Sequence, residues 1–443
     1  MIKNLKITLL IVFSIFLGCD NEKEFTTIDI KIDNAENEII FISGYDLEYE
    51  RKILSNSFRL KDTLSLNQDG YYLLSLAQNS IPIFIKRKDH IEIVIDAKNF
   101  PSTVEYNGET KEINTYLLDK RLSKNVNYKL NENDFLQLIN SRKKSQLSKT
   151  ADLAQNFREI ENNELEYEYQ NNLLVYLKMH PLLTKDTNFI VSENYLARLK
   201  DFNYEDTTNF QNSYTYQSTV KNYYDWLAQQ KLSNYNGQFK LAFLNEVNQD
   251  FPKGETKDKL FEYGLRLGLS LDDSIDEINE LVTQAVQGNT FKEEINQTYN
   301  ALKRLEKGSE APYFELQNQN GDIVSIEDFE GKPTYIDIWA TWCAPCIEEI
   351  PSLKKLQKKF PDVNFVSISI DKKDKIENWK KFLDDKNLNE SIQLIAFQDE
   401  TFKNNYGISG IPRFILIDKY GDFIDADAKR PSNPDLEKQL SKL

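Results

Sequence analysis

Cysteine and histidine are scarce in this sequence, which has three cysteines and two histidines among 443 residues. A structural zinc site needs four ligands, commonly two cysteine pairs or one pair plus two histidines. The histidines, His90 and His180, lie far upstream of the pair formed by Cys343 and Cys346. Haem attachment needs a histidine directly after the second cysteine, and Ile347 stands there. We therefore expect neither a metal site nor a cofactor.

Basic residues are also fewer than acidic ones. The chain has 55 Lys and Arg residues against 70 Asp and Glu, which gives a net charge of -15 and an isoelectric point of about 4.9. Such a balance argues against nucleic acid and against anionic lipid surfaces as partners. No repeat or low-complexity stretch stands out, and the length implies more than one domain.

The apolar run at the amino terminus is short. It covers Ile7 to Leu17, interrupted by Thr8 and Ser14, and follows two lysines. Its length and flanks fit a secretory signal better than a membrane span. The sequence Phe16-Leu-Gly-Cys19 resembles a bacterial lipobox, which predicts a lipoprotein signal peptide over residues 1–18 and lipidation of Cys19. A simple secretory signal or an uncleaved anchor remains the alternative.

The cysteine pair is the feature that indicates chemistry. Residues 334–340 are β-branched and aromatic, which predicts a buried strand, and residues 345–359 carry apolar side chains at helical spacing. Cys343 should then lie at a helix N-terminus, where free N–H groups and the helix dipole favour the thiolate that attacks disulfides. Cys346, one turn on, is placed to act as the resolving thiol. A purely structural disulfide is the alternative, although so small a loop gains little closure entropy.

The pattern along the chain predicts three folded parts after the signal. Residues 19–25 form an acidic tether. Residues 26–116 alternate polar and apolar positions between turns, which predicts a small antiparallel β-sandwich. Residues 117–307 change to helical spacing and are expected to be mostly α-helical. Residues 308–443 alternate strands with helices and end in a hairpin, which predicts an α/β domain with a mixed central sheet.

The last part resembles the TlpA/ResA-like branch of membrane-tethered, thioredoxin-fold oxidoreductases. The resemblance rests on short motifs in the expected order: Ala311–Leu316, Asn320–Ile326, Phe329–Pro333, Trp339–Cys346, Glu349–Pro351 and Gly410–Pro412. Residues 26–307 look more loosely like the uncharacterised N-terminal part that precedes such domains in bacterial lipoproteins, which has no agreed activity.

The resemblance implies roles for several residues. Cys343 matches the nucleophile and Cys346 the resolving thiol, with a redox-active disulfide between them. Pro412 matches a cis proline opposite the dithiol, which lets the backbone of Ile411 pair with an incoming substrate strand. Trp342 is assigned to the same substrate-binding surface.

Two acids are candidate proton acceptors. Asp337 lies six residues before Cys343, where the fold carries a buried acid, and a buried carboxyl has a raised pKa. Glu349 matches the acid that the tethered branch places six residues after the first cysteine, and an exposed carboxylate in the first helical turn is the alternative for it. Arg413 departs from the small hydroxyl residue common after the proline, so it either lowers the Cys343 pKa, selects acidic partners, or points to solvent.

The sequence thus predicts a lipid-anchored protein-disulfide reductase of the bacterial cell envelope. It would face the periplasm from the inner or outer membrane, act on disulfides or thiols of exported proteins, and receive electrons from a membrane donor. One alternative is a binding lipoprotein whose N-terminal and helical parts capture a protein or glycan. Another is a peroxiredoxin-like peroxidase. That group has a Thr-x-x-Cys site in place of Cys-x-x-Cys, so Thr341 and the two thiols count against it.

Overall fold

The computed structural model describes residues 25–35, 39–44, 47–52, 57–123 and 125–443. The predicted signal peptide, Cys19 and most of the tether lie outside these residues. The chain separates into two compact units, the first ending at Trp226 and the second beginning at Leu227. No helix within the described ranges is both long and apolar enough to cross a membrane.

The first unit begins with two four-stranded sheets. The strands are β1 (Phe25–Asp33), β2 (Ile39–Ser43), β3 (Glu48–Lys52), β4 (Ser57–Ser65), β5 (Gly70–Leu76), β6 (Asn79–Ile85), β7 (His90–Asp96) and β8 (Glu105–Gly108). One sheet has the order β4-β1-β7-β8 and the other β3-β2-β5-β6. Alternate residues such as Ile30, Ile42, Leu74, Ile83 and Ile93 bury into one shared core, as the period-2 pattern predicts. The sandwich is confirmed, with one departure: β1 and β7 pair in parallel.

Helices complete the first unit: α1 (Lys111–Leu122), α2 (Glu132–Lys149), α3 (Gln155–Thr184), α4 (Glu193–Lys200), α5 (Thr207–Asn212) and α6 (Tyr214–Gln230), the last of which contains the unit boundary. The sequence predicts that Pro181 ends a helix, but α3 runs on to Thr184 with Pro181 inside its last turn. A proline in the last turn removes only its own backbone N–H from the helix, and the next residues continue the turn to Thr184.

A buried carboxylate joins these helices to the sandwich. Glu161 of α3 is fully buried and accepts hydrogen bonds from the hydroxyls of Tyr71 and Tyr116 and from the ammonium of Lys120. A buried charge is stable only when it is paired and hydrogen-bonded in this way. Phe84 and Phe157 pack edge to face beside it.

The second unit starts with α7 (Phe239–Asp250), α8 (Glu255–Gly264), α9 (Ile275–Ala285) and α10 (Asn289–Lys303), and continues as an α/β domain. Its elements are β9 (Glu315–Asn318), β10 (Ile323–Ser325), β11 (Thr334–Trp339), α11 (Ala344–Lys359), β12 (Asn364–Ser369), α12 (Ile376–Asp385), β13 (Ile392–Ile395), α13 (Glu400–Asn405), β14 (Arg413–Ile417), β15 (Phe423–Asp425) and α14 (Pro434–Leu440).

The strands of this domain form one sheet in the order β10-β9-β13-β12-β11-β14-β15. Strand β12 pairs in parallel with β11 and β13, whereas β11–β14 and β14–β15 are antiparallel. The mixed sheet predicted from the alternation of elements is therefore confirmed. The central strand β11 is buried along its whole length because helices cover both faces of such a sheet.

The helical segment just before the α/β domain contributes to its core. Leu305 follows α10, is 3% exposed, and belongs to the same buried cluster as Trp339, Cys343 and Phe423. A Cβ atom at Gly407, whose φ is +61°, would lie 2.6 Å from Leu305 Cδ1. Glycine at this position therefore allows the close approach.

Candidate active site

The two cysteines lie where α11 begins. Cys343 is the N-cap of the helix, and its Sγ accepts a hydrogen bond from the backbone N–H of Cys346 at 3.3 Å. A disulfide joins Cys343 and Cys346. Pro345 stands in the first turn, where its missing N–H costs nothing and its fixed φ suits a helix. The predicted placement of Cys343 at a helix N-terminus is confirmed, and this position favours the thiolate.

Trp342 and the cysteines differ sharply in exposure. Trp342 is 62% exposed, whereas Cys343 and Cys346 are 4% and 3% exposed. An exposed aromatic ring beside a covered disulfide offers apolar contact area to an incoming chain. This geometry is consistent with the substrate-binding assignment of Trp342.

Asp371 holds the loop that leads to Cys343. Its Oδ2 accepts from the backbone N–H of Thr341 at 2.9 Å, and its Oδ1 accepts from the Thr341 hydroxyl at 2.8 Å. The hydroxyl of Ser369 donates to the same carboxylate at 2.7 Å. Asp371 is 1% exposed, so these bonds replace water around its charge. Asp371 was not predicted from the sequence, although its position just after β12, beside the end of the parallel strand β11, is the signal that could have found it.

Asp337 lies on β11, the strand that leads into the dithiol loop, and is 7% exposed. Its register neighbours are Ser367 on β12 and Phe414 on β14. Burial raises the pKa of Asp337 from 3.8 to about 7; the hydrogen bond from Ser367 at 3.4 Å opposes that rise, and the negative charge of Glu349 adds to it. The expectation of a buried acid with a raised pKa is confirmed for this residue. A group with a pKa near the working pH is suited to accept and release a proton.

Glu349 is buried on α11, one turn beyond Cys346, while its neighbour Glu348 is exposed. Its Oε2 accepts from the backbone N–H of Ser432 at 2.8 Å and its Oε1 from the Ser432 hydroxyl at 2.9 Å. Ser432 lies in the segment of residues 426–433 between β15 and α14, which we call the C-terminal loop. The alternative of an exposed first-turn carboxylate therefore does not hold for Glu349. Nothing in the sequence near Ser432 marks it as its partner, because the two are far apart in the chain.

A small cavity of about 10 Å³ adjoins Asp337, which is enough for one water molecule. Its lining includes Trp339, Ser367, Gln393 and Lys354. In the described part of the chain, Trp339 Nε1 and Gln393 Oε1 are buried without a hydrogen-bond partner. A donor, an acceptor and an acid around one such cavity are the polar partners that a buried water needs.

Pro412 follows a cis peptide bond from Ile411, as predicted. Arg413 is opposite Ile338 in the β11–β14 register, so Pro412 comes level with the end of β11, where the dithiol loop starts. Ile411 packs against the buried cluster that contains both cysteines. The strand register therefore places Ile411 and Pro412 at the same end of the central strands as the disulfide.

Arg413 does not point freely into solvent. Its Nη1 lies 3.0 Å from Asp427 Oδ1, and its side chain is only 18% exposed. The charge of Arg413 is therefore already paired within the domain. Among the described residues, no group of three or more His, Cys, Asp or Glu side chains is arranged to hold a metal ion.

Comparison with known proteins places these residues in a family. Residues 307–424 match the model of the AhpC/TSA family. The chain is 30% identical over 144 residues to the thiol-disulfide oxidoreductase ResA of Bacillus thuringiensis, a stretch that covers 32% of this chain and 80% of that protein. It is 28% identical over 147 residues to the thioredoxin-like protein YneN of Bacillus subtilis, covering 32% of this chain and 85% of that protein.

Solved structures match the same third of the chain. The thioredoxin domain of a thiol-disulfide oxidoreductase from Bacteroides vulgatus is 30% identical, with a TM-score of 0.28, and covers 31% of this chain and 97% of that chain. A thiol-disulfide oxidoreductase from Bacteroides fragilis is 26% identical, also with a TM-score of 0.28, and covers 30% of this chain and 98% of that chain.

Proposed function

The chain belongs, through its C-terminal domain, to the ResA family of thiol-disulfide oxidoreductases, and on that premise we propose that it is a membrane-tethered enzyme that reduces disulfides in exported proteins. The observation that carries the proposal is the Cys343–Cys346 disulfide at the N-terminus of α11, in a domain whose central strand carries a buried acid with a pKa of about 7.

The reaction begins with the reduced dithiol. The Cys343 thiolate attacks one sulfur of a substrate disulfide, the substrate S–S bond breaks, and the first substrate sulfur leaves as a thiolate. Cys346 then loses its proton and attacks Cys343 Sγ, which breaks the mixed disulfide and releases the second substrate thiolate. Two electrons pass from the dithiol to the substrate, and the enzyme is left with the Cys343–Cys346 disulfide.

Asp337 is the proposed acceptor of the Cys346 proton. Its pKa near 7 allows it to take up a proton at neutral pH and to release it again. The adjoining cavity supplies room for a water between Asp337 and the polar groups around it. Glu349, fixed by Ser432, contributes negative charge that helps to keep the Asp337 pKa high.

The direction of electron flow is a further part of the proposal. A reductase of exported proteins must be re-reduced by a membrane electron donor, and its potential must be low. Dithiol proteins range from about -270 mV for thioredoxin to about -120 mV for the oxidant DsbA. We expect a value closer to the first, measured by equilibration with a glutathione buffer.

Tethering follows from the lipobox-like sequence before Cys19, and it would place the enzyme at the periplasm-facing surface of the inner or outer membrane of the cell envelope. The Cys19→Ser variant should lose acyl labelling and move from the membrane to the soluble fraction. Retention of acyl label in that variant would contradict the anchor.

Turnover of insulin tests the activity itself. With dithiothreitol as the electron source, the wild-type chain should accelerate insulin reduction, and the Cys343→Ser variant should show only the rate of dithiothreitol alone. A wild-type rate equal to that background would overturn the proposed function.

A further inference from the structure

An open groove of about 590 Å³ runs beside the cis proline. Pro412 and Phe414 form one side, and Lys429, Arg430, Asn433 and Pro434 are among the residues of the other. Its volume is in the range of ligand-binding sites, which span about 300–1,000 Å³. The groove therefore extends the candidate substrate-binding surface away from the disulfide and along the C-terminal loop.

The C-terminal loop is held by the same elements that carry the active site. The backbone N–H of Ala428 donates to Phe414 of β14 at 2.9 Å, and the hydroxyl of Tyr335 of β11 donates to the carbonyl of Lys429 at 2.8 Å. Ser432 donates to Glu349 of α11. The backbone that presents Lys429 and Arg430 is thus fixed relative to the dithiol.

The charges beside the groove do not cancel. Asp427, which also lines the groove, is paired with Arg413 at 3.0 Å. Asp435, just beyond the loop, is paired with Lys438 at 2.7 Å, and the charge of Lys429 adds a smaller contribution to the lowered pKa of Asp435. Lys429 and Arg430 are exposed, and within the described ranges neither forms an ion pair with a carboxylate. In a chain of net charge -15, this groove wall is a local site of positive charge.

We propose that Lys429 and Arg430 make the enzyme selective for substrate segments that carry Asp or Glu close to the disulfide cysteine. The proposal rests on the reductase function above and names the chemical class of its substrate. Charges at the rim of a binding site act mainly on the rate of encounter and are screened by salt, and the Arg430 guanidinium can bind a carboxylate through two hydrogen bonds.

Three short peptides test the proposal. Each contains one intramolecular disulfide, and the residues that flank the cysteines are all Asp, all Asn or all Lys. The second-order rate constant for reduction of each peptide by the reduced full-length chain is measured by stopped flow. We expect the Asp peptide to react about three- to tenfold faster than the Asn peptide, and the Lys peptide to be the slowest.

Two double variants with the same change in charge separate the groove from the protein as a whole. In Lys429→Gln/Arg430→Gln the ratio of the Asp rate to the Asn rate should fall to near one. In Lys355→Gln/Lys358→Gln, two exposed lysines of α11 outside the groove, the ratio should stay at the wild-type value. Sodium chloride at about 0.5 M should lower the wild-type ratio, because the Debye length then falls to a few ångströms.

Equal wild-type rates for the Asp and Asn peptides would overturn the selectivity, as would an Asp preference that survives in the groove variant. The wild-type comparison stands even if the groove variant does not fold. Failure of all three peptides to be reduced would instead reject the reductase function on which the selectivity depends, so the two failures give different results.

Discussion

Ser432 binds both oxygens of the Glu349 carboxylate, through its backbone N–H at 2.8 Å and its hydroxyl at 2.9 Å. One residue of the C-terminal loop thereby fixes an acid on the helix that carries the dithiol. Because Glu349 also raises the pKa of Asp337, the contact links the loop, the helix and the buried acid of the central strand.

Removal of the Ser432 hydroxyl should destabilise the oxidised protein. Hydrogen bonds to charged groups contribute about 1.5–3 kcal/mol, and Ser432→Ala retains the backbone half of the contact, so we expect a loss of about 1–2 kcal/mol in urea unfolding. The control is Ser441→Ala, whose hydroxyl donates only to an exposed helix carbonyl and should cost less than about 0.5 kcal/mol. Equal losses in the two variants would argue against a special contact.

Asp337 should make the stability of the oxidised protein depend on pH. Since burial raises its pKa from 3.8 to about 7, the folded protein keeps a proton that the unfolded chain releases between these values. The stabilisation is therefore complete below about pH 4 and is lost as the pH rises through 7, a fall on the order of 4 kcal/mol in the free energy of unfolding.

The Asp337→Asn variant isolates this effect, because asparagine has the same shape and no proton to lose. Its free energy of unfolding should vary less between pH 4 and pH 7 than that of the wild type, as measured by denaturant titrations across the range. Asp374→Asn, which removes an exposed carboxylate, should follow the wild-type curve. A wild-type curve no steeper than that of Asp337→Asn would show that burial does not raise the pKa of this acid.

The Thr341 hydroxyl should matter for the dithiol loop because it donates to the buried carboxylate of Asp371. Thr341→Val preserves the side-chain shape and should lower the free energy of unfolding by about 1.5–3 kcal/mol. The variant should also exchange amide hydrogens faster than the wild type, and this increase should be larger in residues 340–343 than in the rest of the domain. Thr298→Val serves as the control, because the Thr298 hydroxyl is partly exposed and donates to a carbonyl of its own helix. An effect of the same size there would show that the bond to Asp371 is not what stabilises the loop.

Gly407 should resist substitution for two separate reasons, its φ of +61° and the nearness of Leu305. An L-residue in the left-handed region costs about 1–2 kcal/mol, and the added Cβ would also displace Leu305. Gly321 has a φ of +93° with nothing near its missing Cβ, so Gly321→Ala measures the backbone cost alone. Thermal unfolding should show a larger loss of stability for Gly407→Ala than for Gly321→Ala. Equal losses would mean that the Leu305 side chain can move aside without destabilising the domain.

Much of the α/β domain could be predicted from local patterns. The apolar run of β11 and the helical spacing after it predict the position of Cys343 at the helix N-terminus. Asp337 was identified through the resemblance to the thioredoxin fold, which carries a buried acid six residues before the first cysteine. The patterns also indicated a sandwich within residues 26–116, because period-2 alternation is a short-range property. The parallel pairing of β1 with β7 was not predicted, since register between strands so far apart is set by the core they share.

The contacts that hold the site could not be predicted in the same way. Ser432 and Asp371 reach Glu349 and Thr341 across 83 and 30 residues of sequence, and no local pattern encodes such pairs. Arg413 shows the same limit. Its sequence position left three roles open, namely lowering the Cys343 pKa, selecting acidic partners or pointing to solvent, whereas folding brings Asp427 to within 3.0 Å of it. The prediction for Pro181 was also wrong: a proline removes only its own N–H from the helix, and α3 continues to Thr184.

Trapping of substrates on the enzyme decides whether Cys343 is the nucleophile of a disulfide reductase. In cells that express the Cys346→Ser variant, mixed disulfides should accumulate on Cys343, because no second thiol remains to release the substrate, and mass spectrometry of the adducts should identify exported proteins joined through that residue. The Cys343→Ser variant should carry few or none on Cys346. Adducts absent from Cys343, or equally abundant on either cysteine, would contradict the assignment of Cys343 as the nucleophile of a disulfide reductase.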